Sequence, residues 1–389
     1  MNDFIYDIPV KVYFGQNQLP NLGPELKRFG TRVLLTYGGG SIKKIGLYDK
    51  ITAELKRAGL EWEELSGIEP NPRIDSVRKG VKLCKEKKID VLLAVGGGSV
   101  IDATKYIAAG AMVDFDPWKF FSDWAPIEKA LPLVSVLTLA ATGSEMDGGG
   151  VISNPETQDK IGRVEPPTLL PKVSFLDPTN TYTVSPYQTA CGAVDMMSHI
   201  MEVYFDTHKD FYMLDCFMEG MMKTILHYAP IAMKDPENYE ARANLMWTSS
   251  WAINGFINGS KQQDWSCHPI EHQVSAVYDI THGLGLAILT PRWMEYCLDE
   301  TNADRYCRFA QQVFGVTPTE DKIATAKEGI ARLSAFFFET LGLKSTFTQI
   351  GIDRKNFKMM AQKACGENGI HGMKTLYPKD VEAIFEMCL

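Results

Sequence analysis

Three short apolar segments in the first half of the chain are each followed directly by small residues. The segments are TRVLLTY (31–37), IDVLLAV (89–95) and LPLVSVLTL (131–139). Their length and their many β-branched residues predict buried β-strands. The stretches between them, such as PRIDSVRKGVKLCKEKK, have apolar residues at helical spacing. This strand–helix–strand alternation predicts an α/β domain with a parallel sheet and helices on its faces.

The second half of the chain has a different pattern. From about Ser185 onward, long amphipathic segments such as YQTACGAVDMMSHIMEVYF replace the short apolar runs, which predicts an all-helical domain. The turn-rich stretch LDPTNTYTVSP (176–186) marks the junction. We therefore predict an α/β domain over residues 1–185 and an all-α domain over residues 186–389, with a ligand site in the cleft at their junction.

The composition excludes several classes of protein. The 389 residues are 45% hydrophobic and 23% charged, with a formal net charge of −8 and no long basic block, so nucleic acid is not an expected partner. The sequence shows neither a secretory signal nor an uninterrupted apolar span, so we expect no membrane association. Eight scattered cysteines without a C-x-x-C pattern predict reduced thiols, and hence a cytoplasmic protein.

The segment AVGGGSVIDATK (94–105) is a glycine-rich turn between a predicted strand and a predicted helix. Gly96, Gly97 and Gly98 would let a ligand approach the backbone closely. Ser99 can cap the helix, whose free N–H groups attract phosphate. The segment contains neither G-x-G-x-x-G nor the lysine of a P-loop, so a tight turn without a ligand remains the alternative.

The strand end TYGGGSIKK (36–44) bears on which dinucleotide would bind. Folds that prefer NAD often place a carboxylate here to hold the ribose 2′-hydroxyl, and this strand end has none. Lys43 and Lys44 follow it and would favour a 2′-phosphate, although by themselves they could equally form a solvated helix face. The missing acid is the stronger indication, and it predicts NADP.

A third turn, VLTLAATGSEMDGGG (136–150), supplies the hydroxyl groups of Thr138, Thr142 and Ser144. Taken alone it is a polar loop. The carboxyl ends of parallel strands meet at one edge of a sheet, so we expect all three turns to converge there. Such an edge is a common place for a nucleotide.

The segment WSCHPIEHQVSAVYDITHGLG (265–285) contains three of the seven histidines, His268, His272 and His282. Its HPIEH portion matches the H-x-x-E-H pattern of one class of zinc peptidases. In that interpretation His268 and His272 would bind zinc and Glu271 would act as the base. A five-residue pattern with two wildcards arises often by chance, and this interpretation leaves His282 without a role.

Asp195 and His199 are four residues apart in an apolar helical segment, so they share one helix face. A buried Asp–His pair could satisfy itself. Combined with His268 and His282, however, the pair gives one carboxylate and three imidazoles, which suit Fe²⁺, Zn²⁺, Co²⁺ or Ni²⁺ with one open position. In this interpretation Glu271 should point elsewhere, because it lies off the helix face that carries the neighbouring histidines.

Together these motifs resemble those of the iron-containing (group III) alcohol dehydrogenases, over essentially the whole chain. The resemblance is carried by Phe14-Gly15, Glu69-Pro70-Asn71-Pro72, Gly96-Gly97-Gly98-Ser99-x-x-Asp102, Thr142-Gly143-Ser144-Glu145, Asp195-x-x-x-His199 and His268-x-x-x-His272-x9-His282-Gly283. It implies a Rossmann-like dinucleotide-binding domain and an all-α domain, in a dehydroquinate synthase-like architecture. Within the family, the chain is most similar to NADP-dependent butanol dehydrogenases and broad-specificity aldehyde reductases.

The resemblance also implies roles for individual residues. Asp195, His199, His268 and His282 match the metal ligands, with Fe²⁺ the expected ion and Zn²⁺ or Ni²⁺ the alternatives. His272 matches a histidine near the metal and the nicotinamide, and is a candidate to relay a proton. The positions that match contacts to NADP(H) are Gly38, Gly39, Ser41, Asn71, Gly97, Gly98, Ser99, Thr138, Thr142 and Lys160. Without the resemblance, Lys160 would be interpreted as a surface lysine.

The function implied by the resemblance is the NADP(H)-linked interconversion of primary alcohols such as butanol and their aldehydes, by a cytoplasmic homodimer acting on small molecules. A glycerol-dehydrogenase-like polyol oxidoreductase, the metallopeptidase and a non-catalytic dinucleotide sensor are the alternatives. Two features depart from the family. Leu137-Thr138-Leu139 replaces the usual Pro-Thr-Thr and so lacks one hydroxyl, and Cys267 beside a predicted ligand would make the site sensitive to oxidation.

Overall fold

The structure is a computed structural model that describes residues 3–206, 211–259 and 265–389. The chain divides into two compact units. The α/β unit comprises Asp7–Val184 and Pro236–Asn254, and the helical unit comprises Met1–Tyr6, Ser185–Asp235 and Gly255–Leu389. The predicted division of the chain into a domain of residues 1–185 and a domain of residues 186–389 stays a prediction.

The α/β unit contains eight strands and seven α-helices within its described residues. The strands are β1 (Lys11–Phe14), β2 (Arg32–Tyr37), β3 (Glu61–Leu65), β4 (Val91–Gly96), β5 (Leu133–Leu137), β6 (Gly149–Asn154), β7 (Asp159–Val164) and β8 (Val173–Leu176). The helices are α1 (Leu22–Lys27), α2 (Ser41–Lys44), α3 (Leu47–Arg57), α4 (Ile74–Lys87), α5 (Gly98–Gly110), α6 (Lys119–Ser122) and α9 (Tyr239–Trp251).

Six of these strands form one parallel sheet in the order β1-β8-β5-β4-β2-β3. The three strands predicted from the sequence are β2, β4 and β5, which are neighbours in this sheet, so the α/β prediction is confirmed. β6 and β7 form a separate antiparallel hairpin. Successive residues of β2 and β4 enter different cores: Leu34 and Leu92 face one, Val33 and Val91 the other. Apolar residues at successive positions of these strands therefore bury both faces of the sheet.

The helical unit contains α7 (Pro186–Tyr204), α8 (Tyr212–Lys234), α10 (Cys267–Tyr278), α11 (His282–Cys297), α12 (Ala303–Phe314), α13 (Lys322–Ala335), α14 (Phe357–Cys365) and α15 (Pro378–Met387). Among its described residues the only β pairing is an isolated bridge between Ile370 and Leu376, so the all-helical prediction is confirmed. None of the described helices combines the length and apolar character that a membrane crossing needs. All eight cysteines lie in the described ranges, and each is a free thiol.

The helix α7 is the centre of this unit. The side chain of Ser185 accepts a hydrogen bond from the N–H of Gln188, and Pro186 occupies the first turn, where its missing N–H costs nothing. From Thr189 to Tyr204 every residue of α7 is buried. Any polar side chain on this helix therefore has to find its partner inside the protein.

Candidate functional site

The helix α7 contributes a carboxylate and an imidazole to one buried cluster. Asp195 and His199 lie one turn apart on the same face, and Oδ1 of Asp195 is 3.5 Å from Nε2 of His199. Both side chains are buried. The i, i+4 spacing predicted this shared face.

The other two predicted ligands come from the next pair of helices along the unit. His268 lies in the first turn of α10, and His282 is the first residue of α11. Nε2 of His268 is 3.9 Å from Oδ1 of Asp195, and Nε2 of His282 is 3.6 Å from the same oxygen. Three imidazole nitrogens therefore surround one carboxylate oxygen.

This arrangement fits a divalent cation. Ligand atoms about 2.0–2.1 Å from a tetrahedral ion are roughly 3.4 Å from one another, close to the distances around Asp195. The ligand atoms of Asp195, His268 and His282 all lie within 4.8 Å of one another. Oδ1 of Asp195 and Nε2 of His268 are buried and make no hydrogen bond within the part of the chain that the structure describes. Two buried polar atoms without a hydrogen bond in one cluster are suited to bind a cation.

The charges in the cluster lead to the same conclusion. Burial acts to raise the pKa of Asp195, but the three histidines outweigh it and hold the pKa below its usual range. Burial lowers the pKa of His199 to about 4. Burial also opposes a charge on His268, yet Asp195 and Glu202 raise its pKa to about 9. The cluster therefore attracts a proton onto His268, and a metal ion binding there would displace it.

Glu202, which was not predicted from the sequence, binds His268 at Nδ1, whereas Nε2 of that ring faces Asp195. Its Oε1 accepts hydrogen bonds from Nδ1 of His268 at 2.6 Å and from the backbone N–H of His268 at 2.7 Å. Its Oε2 accepts from the N–H of Cys267 at 3.1 Å and from the N–H of Ser266. A carboxylate at the N-terminus of α10 is also favourable to the helix dipole. The sequence signal was the spacing, because Glu202 follows His199 by three residues on the same helix face.

Glu271 supports His282 in the same way. Its Oε2 accepts a hydrogen bond from Nδ1 of His282, and its Oε1 accepts one from Oγ of Ser275. The prediction that Glu271 points elsewhere was therefore wrong. The prediction considered only the face of α10, whereas His282 reaches Glu271 from α11. The hydrogen bond to His282 occupies the carboxylate that the peptidase interpretation assigns to activating water.

His272 lies one turn after His268 on α10 and is half-buried. Its ring centroid is 5.6 Å from that of His282 and 6.2 Å from that of His268. The ring of Trp265 packs edge-on against His268, with 4.7 Å between centroids. His272 is thus beside the cluster, and its part in proton transfer stays a prediction.

Cys267 precedes a predicted ligand in the sequence but is fully buried. Its Sγ lies 3.6 Å from Oγ1 of Thr290. Burial, reinforced by nearby acidic groups, holds the pKa of the thiol well above its usual range. Because the thiolate is the form that reacts, the predicted sensitivity to oxidation is not supported by this environment.

In the α/β unit, the three predicted turns converge as expected. They follow β2, β4 and β5, which are adjacent and parallel, so they share one edge of the sheet. The N–H of Thr138 donates to the carbonyl of Gly96 at 3.1 Å. A Cβ added at Gly98 would lie 2.2 Å from Oγ1 of Thr142, so only glycine lets these two turns approach so closely.

The start of α5 is open to an anion. The helix begins at Gly98 with Gly97 as its N-cap, and no described side chain caps it. The prediction that Ser99 caps this helix was wrong, because Ser99 already lies inside the first turn. The N–H groups of that turn can therefore face a phosphate. At the neighbouring strand end, Ser41 is the first residue of α2. A Cβ added at Gly39 would meet no described atom within 4 Å. A Cβ added at Gly38 would lie 3.1 Å from the carbonyl oxygen of Ile68.

The hairpin β6–β7 brings Lys160 towards Asn71. The carbonyl of Pro72, next to Asn71, accepts a hydrogen bond from the N–H of Ser153 at 2.8 Å, and Ser153 pairs with Lys160 across the hairpin. Asn71 has a left-handed backbone, with φ of 51°. Lys160 is only 4% exposed, so the interpretation as a surface lysine was wrong. Its burial next to this loop is unusual for a lysine without a function.

The end of β2 has an acidic neighbour on the adjacent strand β3. The hydroxyls of Tyr37 and Tyr48 donate to the carboxylate of Glu64 on β3, at 2.7 and 2.5 Å. Nζ of Lys43 lies 5.1 and 4.6 Å from the centroids of the two tyrosine rings. β3 pairs with β2, so this acid is close to the turn even though the turn itself contains none. The local charge is therefore less positive than predicted.

A buried network ties α5 to the third turn and the hairpin. Nζ of Lys105 donates to Oγ of Ser144 at 2.9 Å, to Oδ1 of Asp147 at 2.6 Å and to the carbonyl of Gly149 at 2.6 Å. Oδ1 of Asp102 accepts from Oγ of Ser144 at 2.5 Å. Buried ions are tolerated when they are paired and hydrogen-bonded in this way. The network fixes the polar turn against the glycine-rich helix start.

Glu145, in the same turn, should make the stability of the protein depend on pH. Burial raises the pKa of its carboxyl from 4.5 to about 7, although Oγ of Ser250 donates to it. The folded protein then holds a proton that the unfolded chain releases. This contribution is complete below about pH 4.5 and is lost as the pH rises through 7, by about 3 kcal/mol in total.

Glu145→Gln keeps a neutral side chain at every pH and should lose that dependence. We expect urea unfolding of the metal-free wild type to show a larger fall in the free energy of unfolding between pH 5 and pH 8 than the variant does. Equal falls in the two proteins would contradict the prediction.

The two sets of residues fit a class of protein: a dehydrogenase that binds a dinucleotide at glycine-rich turns and a metal ion at a cluster of one aspartate and three histidines. Comparison with known proteins agrees. Residues 9–178 match the family described as iron-containing alcohol dehydrogenase, and residues 189–389 match its C-terminal family. The chain belongs to the iron-containing alcohol dehydrogenase family. The family implies a nicotinamide cofactor and a metal, and it makes the chain an oxidoreductase of the alcohol dehydrogenase and aldehyde reductase type.

Individual relatives resemble the chain over nearly all of its length. NADH-dependent butanol dehydrogenase A of Clostridium acetobutylicum is 46% identical, over 99% of both chains. NADPH-dependent aldehyde reductase of Escherichia coli is 38% identical, over 93% of both chains. The crystal structure of NADH-dependent butanol dehydrogenase A from Thermotoga maritima has a TM-score of 0.95 and 37% identity, covering 100% of this chain and 99% of that one. The predicted fold class is thus confirmed.

Proposed function

We propose that this chain is a divalent-metal-dependent, NADP(H)-linked alcohol dehydrogenase and aldehyde reductase acting on primary alcohols such as butanol and on their aldehydes. The observation that carries the proposal is the cluster of three imidazole nitrogens around Oδ1 of Asp195. Fe²⁺ is the proposed ion, with Zn²⁺ or Ni²⁺ as alternatives. The names of the butanol dehydrogenase and aldehyde reductase relatives support the substrate class.

The residues of the helical unit would bind the metal, exclude water and transfer a proton. When bound, the ion supplies a Lewis acid that acidifies an alcohol or polarises a carbonyl, and the nicotinamide supplies or accepts hydride. Asp195, His199, His268 and His282 would hold the ion. Trp265 covers one side of the cluster and helps to exclude water. His272 would hold or move the proton of the substrate oxygen.

The residues of the α/β unit would hold the dinucleotide. The first turn of α5, with Gly97, Gly98 and Ser99, is proposed to bind the diphosphate through backbone N–H groups. The hydroxyls of Thr138 and Thr142 offer further hydrogen bonds. The remaining proposed contacts are Gly38, Gly39, Ser41, Asn71 and Lys160.

An activity assay on protein of known metal content tests the proposal directly. We expect metal-loaded protein to oxidise NADPH with butanal, and metal-free protein to be inactive until metal is added back. Measured binding of NADPH without any turnover would instead support the dinucleotide sensor. Cleavage of casein by the same preparation would support the peptidase.

The preference for NADP(H) is a separate prediction. The turn after β2 lacks an acid, and Lys43 follows it, which favours the 2′-phosphate. NADH is the competing cofactor, favoured by Glu64 beside this turn and by the names of four relatives called NADH-dependent. We expect kcat/KM with butanal to be about tenfold higher for NADPH than for NADH, the effect of one charge-assisted contact.

Two lysine variants separate a specific contact from general charge. Lys43→Ala should lower kcat/KM for NADPH about tenfold and leave that for NADH nearly unchanged. Lys44→Ala, the matched control in the same helix, should change neither much. Comparable efficiency of the wild type with both cofactors would refute the proposed preference.

A further inference from the structure

We infer that Glu202 and Glu271 are positioning residues of the metal centre, each fixing one histidine ligand, and that His199 has no such support among the described residues. The inference rests on the proposed function, because it concerns the same metal centre. It gives the glutamate of the H-x-x-E-H pattern a role that differs from the one it has in peptidases. It also divides the three imidazoles into two that are held by carboxylates and one that no carboxylate of the described ranges holds.

The hydrogen bonds determine which ring nitrogen is available to a metal. A carboxylate that accepts a hydrogen bond from Nδ1 keeps the proton on that nitrogen and leaves the lone pair on Nε2. This is the arrangement of His268 with Glu202 and of His282 with Glu271. In both histidines, Nε2 is then the atom that faces Asp195. The carboxylates also increase the basicity of the rings, which strengthens metal binding.

The position of Glu271 is enforced by close packing. The side chain is 0% exposed, and its two oxygens bond to Ser275 and His282. A Cβ added at Gly285 would lie 2.6 Å from Oε1 of Glu271, so the backbone of α11 rests directly on the carboxylate. Glycine at position 285 is therefore required for Glu271 to reach His282. The carboxylate cannot turn towards a substrate without breaking these contacts.

Glu202 also stabilises the start of a helix. Besides Nδ1 of His268 it binds the backbone N–H groups of Ser266, Cys267 and His268, and so closes the N-terminus of α10. Removing its charge should affect both the helix and the ligand. The hydrogen bonds of Glu271 described above come from the side chains of Ser275 and His282, so its replacement is the better test of support for a ligand.

His199 differs from the other two imidazoles. Its Nδ1 is buried and makes no hydrogen bond within the described ranges of the chain. Its ring stacks on that of His268 instead, with 4.9 Å between centroids and 12° between planes. Among the described residues, two groups offer ligand atoms that all lie within 4.8 Å of one another: Asp195, His268 and His282, and Glu271, His272 and His282. His199 belongs to neither group. We therefore expect His199 to contribute least to the affinity for metal.

The test is a metal-affinity measurement on Glu271→Gln. Metal-free protein is titrated with Co²⁺ or Zn²⁺ in competition with a chromophoric chelator, and the visible spectrum of the Co²⁺ form is recorded. We expect the variant to bind metal about 10- to 100-fold more weakly than the wild type, with shifted Co²⁺ bands. Ser275→Ala, which removes one contact to Glu271, should cause a smaller loss in the same direction.

Glu219→Gln is the matched control. Glu219 is a buried carboxylate of the same unit, and it is bonded to Tyr204 and Arg308. Its replacement should lower the thermal stability but leave the metal affinity and the Co²⁺ spectrum unchanged. Glu202→Gln, in contrast, should lower both stability and metal affinity.

The outcomes separate this inference from the proposed function. A wild-type protein that binds no metal would overturn the proposed function. A wild type that binds metal, together with a Glu271→Gln variant of equal affinity and identical spectrum, would overturn the inference alone. A His199→Ala variant that loses as much affinity as His282→Ala would contradict the unequal support of the three imidazoles.

Discussion

Replacing His282 with alanine is expected to remove the metal and to lower kcat/KM for butanal by at least about 10³-fold. The ligand atom of His282 lies within 4.8 Å of those of Asp195 and His268. The change also leaves the buried carboxylate of Glu271 without its imidazole partner, which disfavours the folded arrangement of α10 and α11. Metal content by mass spectrometry and steady-state NADPH oxidation would measure both effects.

His272→Ala is the matched variant, because it removes a neighbouring histidine that is proposed not to bind the metal. It should retain the metal and lower the rate by about 10²-fold, with an altered pH profile, as expected for loss of a proton relay. Loss of metal in this variant would instead support His272 as a metal ligand, as in the peptidase interpretation. Full metal content in His282→Ala would show that the assignment of His282 is wrong.

Replacing Lys105 with methionine is expected to lower the free energy of unfolding by about 3–5 kcal/mol. The lysine is 1% exposed, and its ammonium group bonds to Ser144, Asp147 and Gly149. Burial already raises the pKa of Asp147, and it raises that of Asp102 to about 6. Without the ammonium group, both carboxyl groups lose the charge that favours their ionised forms. Methionine fills similar volume, so the loss reports on charge.

Lys87→Met is the control for this prediction. Lys87 forms an ion pair with Glu63 at 2.9 Å, and both side chains are exposed. Such a pair contributes about 0–1 kcal/mol, so the variant should unfold at nearly the same urea concentration as the wild type. If Lys105→Met lowered the free energy of unfolding as little as Lys87→Met does, the buried network would not be what fixes the third turn. The binding of NADPH to Lys105→Met should weaken together with its stability.

The local patterns of the sequence carried much of the fold and of the site. Apolar runs of strand length predicted β2, β4 and β5, because a strand buried on both faces is apolar at most successive positions. The glycines after them predicted turns at one edge of a sheet, since parallel strands all end on the same side. The i, i+4 spacing of Asp195 and His199 placed both on one helix face. These signals are local, so sequence alone can reveal them.

Other features depend on which elements become neighbours. Glu64 lies beside the turn after β2 only because β3 pairs with β2. Lys160 is buried in a hairpin that hydrogen-bonds, through Ser153, to Pro72 beside Asn71. Neither contact follows from spacing along the chain, and both bear on how a dinucleotide would be held. The pairing of distant segments has to be seen in the structure.

The segment from Trp265 to Gly285 shows where the two kinds of information divide. The sequence by itself determined which residue types are present, that His268 and His272 share a helix face, and that a metal cluster was a credible use of these histidines. Only the tertiary structure decided that His282 begins a second helix, that Asp195 lies between His268 and His282, and that Glu271 supports His282. The physical reason is that hydrogen bonds and metal ligation depend on distances of a few ångströms between atoms. Side-chain periodicity orders residues on one helix, whereas those distances are set by how separate helices pack.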